Sequence, residues 1–235
     1  MTSSMPAVAT RTGDGFALQA VLLDMDGTLV ATEDFWWDAE VEVFAELGHV
    51  LAEEHRTVVV GGPMTRSAAY LIDVTGADIT VPELSVLLNA RFEERIDRGV
   101  PLMPGARRLL TELSAHGVPT ALVSASHRRV MDRVLRSLGP ENFAFSVAGD
   151  EVGRTKPHPE PYLTAARRLG AEPARSVVVE DTVTGVTSAE TAGCPVVAVP
   201  SVTAIEPGPG RTVVASLEDV DLPFLRSLVT AAHPA

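Results

Sequence analysis

The stretch FALQAVLLDMDGT, Phe16 to Thr28, joins a short apolar run to an acidic turn containing glycine. Eight residues, Phe16 to Leu23, suit a buried strand better than an amphipathic helix. Asp24 and Asp26 then stand where open α/β sheets bind ligands, beyond the carboxyl end of a strand. Taken alone, the pair also fits two ordinary turn residues, so the rest of the chain decides between these readings.

Downstream, Glu33 to Leu47 has helical periodicity, with Phe35, Trp36, Ala39, Val43, Phe44 and Leu47 near one side and Gly48 suited to the end. A Gly-Gly-Pro turn at Gly61 to Pro63 precedes helical patterns over Arg66 to Thr75 and Pro82 to Arg98. Strand signals are scarce from 30 to 100, and this segment reads as a helical insertion, a cap domain. From Pro101 onward strands and helices alternate. Helices are expected from Pro104 to His116, Ser126 to Leu138, Pro159 to Leu169, Val183 to Ala192 and Leu217 to Val229. Strands are expected at Pro119 to Val123, Phe143 to Ala148, Ser176 to Val179, Pro195 to Val199 and Val213 to Ala215. Alternation of this length predicts an α/β fold, a doubly wound parallel (Rossmann-like) sheet with an inserted α-helical cap. The core is expected from residues 16–29 and 101–235, the cap from 30–100, and a disordered N-terminus from 1–15.

Composition agrees. The 235 residues are 46% hydrophobic but only 5% aromatic, so the core rests on Val, Leu, Ala and Ile, which suits buried parallel strands. The formal net charge of −12 and the lack of any basic stripe argue against a nucleic-acid partner. The lone cysteine, Cys194, excludes a disulfide framework and reads as a small buried residue. No apolar run approaches the roughly 20 residues that span a bilayer, so no membrane association is expected. Met1 to Gly15 lack an apolar signal-peptide core. A cytoplasmic location is the expectation.

The basic residues are the most unusual feature. Of 19 Lys plus Arg, only Lys156 is lysine. Lysine offers a compact point charge on a slim stem and arginine a wide planar fork, so a single lysine in an arginine background marks a position where arginine does not serve. Elsewhere a lysine in such a loop would be a solvated surface charge.

Polar residues that can converge follow four strands. Asp24 and Asp26 follow the first, Ser124 the second and Glu180 with Asp181 the fourth, while Lys156 lies in the loop after the third. Several acids beside one lysine and one hydroxyl form a candidate site for Mg²⁺ and phosphate, because Mg²⁺ takes oxygen ligands and needs few protein carboxylates. An aspartate can attack phosphorus. A second acid two residues on can protonate the leaving oxygen and then activate water. The lysine and the hydroxyl can hold phosphoryl oxygens as charge shifts.

DMDGT at Asp24 to Thr28 resembles the first motif of the haloacid dehalogenase superfamily. Ser124 resembles the second. Lys156 with Pro157, Pro159 and Tyr162 resembles the third, and VVVEDTVTGVTSAETAGC, Val177 to Cys194, the fourth. The resemblance covers nearly the whole chain. It implies Asp24 as nucleophile and Mg²⁺ ligand, and Asp26 as general acid/base with its backbone carbonyl also meeting the metal. It implies Ser124 and Lys156 as phosphoryl binders, with Thr28 and Ala125 beside them. Asp181 would bind Mg²⁺, and Glu180 would be a ligand or an acid behind the ligands. The helical insertion resembles the cap of the β-phosphoglucomutase-like branch, which covers the site and selects substrate. Ala31 departs from relatives that carry an acid just after DGTLV, which bears on substrate rather than on chemistry.

The simpler readings are a helix-start charge for Glu180, a serine before a helix for Ser124, and loop or first-turn positions for His127 and His158. His49 and His55 are expected at the surface. Of the adjacent Trp36 and Trp37, one should be core and the other can face the cleft. Arg66 is a candidate for reaching substrate from the cap, its simpler reading being a solvated arginine opening a helix. The function expected is a phosphatase on a small phosphorylated metabolite of sugar-phosphate or phosphoglycolate type, acting as a monomer. A β-phosphoglucomutase-like phosphomutase is disfavoured because the cap carries no lysine, a dehalogenase by Asp26, and a non-catalytic metabolite- or partner-binding protein by the presence of every catalytic group.

Overall fold

The structure is a computed structural model that describes residues 17–59 and 64–231. The expectations for residues 1–15 and for the Gly61 to Pro63 turn lie outside the described residues.

Among the described residues six parallel strands form one sheet in the order β3-β2-β1-β4-β5-β6. They are β1 (Ala20–Leu23), β2 (Thr120–Val123), β3 (Phe145–Val147), β4 (Ser176–Glu180), β5 (Val196–Ala198) and β6 (Arg211–Val213). Strand β1 lies centrally, with Val21 opposite Thr120 of β2 and Val177 of β4. The crossovers are α5 (Ala106–Ala115), α6 (Arg128–Leu138), α7 (Glu160–Leu169) and α8 (Val183–Thr191), and α9 (Leu222–Ala231) follows β6.

Alternate side chains of each strand serve opposite faces. Val21, Leu23, Leu122, Val177, Val179 and Val197 join α5, α6 and α9 in one core. Ala20, Leu22, Ala121, Val123, Val178 and Val196 join α7 and α8 in another. Burial on both faces is why the strands read as continuous apolar runs rather than as alternation.

Between β1 and α5 run α1 (Glu33–Glu46), α2 (Glu53–Val59), α3 (Met64–Thr75) and α4 (Val81–Asp97). Helix α4 opens on Thr80, whose hydroxyl and Glu83 cap each other's backbone in a capping box. These helices bury a cluster of their own, with Trp37, Phe44, Leu71, Leu84 and Leu88. The chain leaves and returns side by side: Val30 bridges Leu102, and the Ala31 amide donates to the Pro101 carbonyl at 2.9 Å. Glu93 of α4 pairs with Arg129 and Arg133 of α6, and Asp97 with Arg133 and Arg136. Trp36 is half-buried and stacks on Phe92 at 3.8 Å, against the main core, while Trp37 is buried among the helices.

Several sequence boundaries shift. Strand β6 lies two residues before the expected Val213 to Ala215, because its pairing sets Val196 opposite Arg211 and Ala198 opposite Val213. The helix expected from Leu217 begins at Leu222. The carbonyls of Leu217, Glu218 and Val220 accept from Arg108, and Asp221 caps the new start through the Phe224 amide. Ser126 and His127 lie before α6 rather than inside it. Helix α2 adds an element that the sequence periodicity does not signal. His55, expected at the surface, is half-buried and hydrogen-bonded to Tyr70 at 2.9 Å.

Candidate active site

The carboxyl ends of β1, β2, β4 and β5 and the loop after β3 deliver polar groups to one place. Lys156 is its hub. Its Nζ donates to Asp24 Oδ1 at 2.6 Å, to Glu180 Oε1 at 2.7 Å and to the Val123 carbonyl at 2.8 Å. Those acceptors use all three ammonium protons. Lys156 is buried, as are Asp24, Glu180 and Asp181. Burial alone would lower the lysine's pKa, yet the carboxylates of Asp24 and Glu180 hold it above its ordinary value.

Asp24 is pushed the other way from a normal carboxylate. Burial, then Glu180, with Asp181 and Asp26 behind, raise its pKa well above the usual range, and Lys156 offsets only part of this. Oxygens of Asp24, Glu180 and Asp181 lie within 4.8 Å of one another. Three buried carboxylates around one ammonium leave negative charge that a further cation would balance.

Glu180 is saturated. Besides Lys156, its Oε1 accepts from the buried Tyr162 hydroxyl at 2.7 Å. Its Oε2 accepts from the Asp181 amide, the Thr182 amide and the Thr182 hydroxyl at 3.1, 3.3 and 3.2 Å. The carboxylate lies against Gly185 in the first turn of α8, where a Cβ would stand 1.7 Å from Oε1. Asp181 is held by two hydroxyls, Thr28 on Oδ1 at 3.2 Å and Ser201 on Oδ2 at 2.5 Å. Gly27, with φ of +76°, lies beneath it, where a Cβ would come within 2.0 Å of Asp181 Oδ2.

Asp26 is oriented separately. Thr32 donates to its Oδ1 at 2.7 Å, while Ser124 and Ser126 donate to Oδ2 at 3.1 and 2.7 Å. The Ser126 amide in turn donates to Ser124 Oγ at 2.9 Å. Ala125 packs against Gly149, where a Cβ would meet the Ala125 carbonyl at 2.1 Å.

The structure thus brings together Asp24, Asp26, Thr28, Ser124, Ala125, Lys156, Glu180 and Asp181. Arg66 is exposed near the start of α3, and none of the contacts described ties it to this group. His158 serves the loop before α7: its Nδ1 accepts from the Glu160 amide and its carbonyl from Ser188. Sequence reasoning missed the supporting hydroxyls of Thr32, Ser126, Thr182 and Ser201. Their only signal was a hydroxyl near a strand end, which is common.

The family model of the haloacid dehalogenase-like hydrolases matches residues 21–199, and the chain belongs to that family. It is similar to the bifunctional riboflavin kinase/FMN phosphatase of Arabidopsis thaliana, 34% identical over 77% of this chain and 48% of that protein. The chain therefore spans about half the length of that relative. It is also similar to protein CbbY of Rhodobacter capsulatus, 33% identical over 78% of this chain and 86% of that one. Among solved structures, a CbbY variant from Rhodobacter sphaeroides in complex with xylulose-(1,5)-bisphosphate matches with a TM-score of 0.75 and 26% identity, covering 88% of this chain and 99% of the other.

Proposed function

We propose that this protein is a Mg²⁺-dependent phosphatase that hydrolyses a small phosphorylated metabolite, of sugar-phosphate or phosphoglycolate type, through an aspartyl-phosphate on Asp24. The observation that carries this reading is the buried contact of Lys156 with both Asp24 and Glu180 beside Asp181. Relatives named as phosphatases and a relative crystallised with a sugar bisphosphate support the substrate class. The reading includes residues 30–100 as a cap over the site, a cytoplasmic location and a monomer. Among the described residues no helix is long and apolar enough to cross a membrane.

The donor set fits Mg²⁺, since it consists of hard carboxylate oxygens with uncompensated charge. Asp24 and Asp181 would hold the ion, with the Asp26 backbone carbonyl completing the protein's share. Glu180, with both oxygens engaged, would stand behind them and fix Lys156. When bound, Mg²⁺ would offset the carboxylates' charge and polarise the phosphoryl oxygens.

In the first step an Asp24 carboxylate oxygen bonds to phosphorus as the bond to the leaving oxygen breaks. The Asp26 carboxylic acid gives its proton to that oxygen, so an alcohol departs. In the second step Asp26, now a carboxylate, takes a proton from water as the water oxygen bonds to phosphorus. The bond to Asp24 breaks, restoring its carboxylate and the acid form of Asp26. Lys156 keeps Asp24 Oδ1 engaged and so leaves Oδ2 for attack, while its charge answers the charge gathering on the phosphoryl oxygens. Ser124, Ala125 and Thr28 would border the phosphoryl group.

Phosphate release from a panel of sugar phosphates, phosphoglycolate, nucleotides and p-nitrophenyl phosphate tests this, with wild type and Asp24→Asn compared with Mg²⁺ and with EDTA. Release that needs Mg²⁺ and is lost in the variant supports the reading. Release that persists in Asp24→Asn, or isomerisation of glucose 1-phosphate in place of hydrolysis, overturns it.

A further inference from the structure

Ser201 lies outside the four motifs. It follows β5, whose Ala198 lies opposite Glu180 of β4, and the Val199 amide donates to the Glu180 carbonyl at 2.7 Å. That bond carries the chain alongside the end of β4. Beyond Pro200, the Ser201 hydroxyl donates to Asp181 Oδ2 at 2.5 Å. The other oxygen of the same carboxylate accepts from Thr28 at 3.2 Å. Beneath it lies Gly27, where a Cβ would stand 2.0 Å from Asp181 Oδ2 and 2.9 Å from Ser201 Oγ. The loops after β1 and β5 therefore grip a carboxylate that belongs to the loop after β4.

The two gripping groups are neutral hydroxyls. A hydroxyl on each oxygen opposes rotation about the carboxylate bond without bringing a positive charge to it, whereas Asp24 is held by the Lys156 ammonium. Ligand carboxylates depend in this way on hydrogen bonds from behind, and removal of such a partner commonly weakens metal binding by roughly ten- to hundredfold. Ser201 is itself exposed, so removing its hydroxyl opens no core cavity.

We infer that Ser201 is a positioning residue that presents Asp181 to Mg²⁺, and that the loop after β5 is a fifth element of this site. The inference rests on the Mg²⁺ reading above.

The test is calorimetric titration of Mg²⁺ into the full chain freed of divalent ions, for wild type, Ser201→Ala, Ser201→Thr and Val202→Ala. Ser201→Ala should raise the Kd for Mg²⁺ by roughly ten- to hundredfold. Its melting temperature without Mg²⁺ should fall only by the roughly 3–12 °C that one hydrogen bond lost from a charged group costs, and its KM for p-nitrophenyl phosphate at saturating Mg²⁺ should stay at the wild-type value. Ser201→Thr, which keeps the hydroxyl, and Val202→Ala, which disturbs only the neighbouring loop position, should bind close to wild type. Wild-type affinity in Ser201→Ala overturns the inference, as does a Ser201→Thr variant as weak as Ser201→Ala. Failure of wild type itself to bind Mg²⁺ overturns this inference and the Mg²⁺ reading together, and so is told apart from a failure of Ser201 alone.

Discussion

Replacing Gly185 by alanine opposes two effects of different sign. Gly185 lies inside α8, where alanine is favoured over glycine by about 1 kcal/mol. On helix propensity alone the variant gains stability. The site predicts the reverse, because the added Cβ would stand 1.7 Å from Glu180 Oε1, 1.9 Å from Cδ and 2.1 Å from Oε2. The carboxylate would have to retreat by more than an ångström. It is the end of a flexible side chain, but Lys156, Tyr162, Asp181 and Thr182 hold it in place. Overpacking costs about 1–3 kcal/mol, and each hydrogen bond lost from a charged group costs about 1.5–3 kcal/mol. Set against the propensity gain, this leaves a net loss of about 3 kcal/mol. For a chain of this size that lowers Tm by about 6–12 °C. Thermal unfolding followed by circular dichroism measures it. A double-mutant cycle isolates the cause: in a Glu180→Ala background the methyl has room, and Gly185→Ala should be neutral or stabilising there. A Tm raised by about 2–4 °C in the single variant, as propensity alone expects, would refute the reasoning.

Three further outcomes follow from the same geometry. Asp26→Asn should lower kcat by about 10²–10⁴-fold with little change in KM, because the variant keeps the hydroxyl contacts but supplies no proton; unchanged steady-state turnover would contradict the role given to Asp26. Lys156→Arg preserves charge, yet the fork cannot fill a niche between Asp24, Glu180 and the Val123 carbonyl; a loss of about 3–5 kcal/mol in urea unfolding is expected, as for a broken buried pair, and a variant as stable as wild type would count against the niche. The third outcome concerns pH. The folded pKa of Asp24 is raised, chiefly by burial and then by Glu180, well above the ordinary carboxylate range. The folded state then binds more protons than the unfolded one between that range and the raised pKa, so Asp24's contribution to stability falls as pH rises through the window. Bound Mg²⁺ should reverse this, so the stabilisation it produces should be larger at about pH 8 than at about pH 5, reaching about 2.7 kcal/mol at one hundred times Kd, read as a rise in Tm. A Mg²⁺ effect independent of pH would exclude the crowding of Asp24 as its source.

Much of this was legible in the sequence, for a physical reason. Strands β1, β2 and β4 are buried on both faces, so each announces itself as an apolar run followed by an abrupt polar residue, and those polar residues are the centre of the site. Edge strand β6 lacks that signature. Its Arg211, Thr212 and Val213 are half-buried, and the neighbouring Val213 to Ala215 is the more apolar run, so pairing with β5 rather than hydrophobicity sets the register. The short helix α2 reads as polar, and only tertiary support makes it visible: Val59 enters the cluster of the helical segment and its carbonyl accepts from Ser67. The start of α9 was hidden because Arg108, more than a hundred residues earlier, takes the carbonyls that a helix from Leu217 would need. The supporting hydroxyls were illegible for the same reason. Thr32, Ser126 and Ser201 acquire meaning from convergence of loops, and one-dimensional spacing does not record convergence.

The single lysine shows what composition can record. Arginine serves this chain wherever a flat, two-pronged contact is wanted: Arg128 grips both oxygens of Glu151, and Arg211 both oxygens of Glu190. These pairs lie partly exposed, where a wide guanidinium has room. The position among Asp24, Glu180 and Val123 asks for something else, three acceptors around one small cation with Tyr162's ring 4.9 Å away. A tetrahedral ammonium meets three acceptors from a single atom, while a guanidinium spreads its donors over a plane. The niche is also closed, since Glu180 is pinned from behind by α8 and Asp24 by the end of β1, so neither acceptor can move outward to admit a larger group. At this position the surroundings, rather than charge alone, dictate lysine.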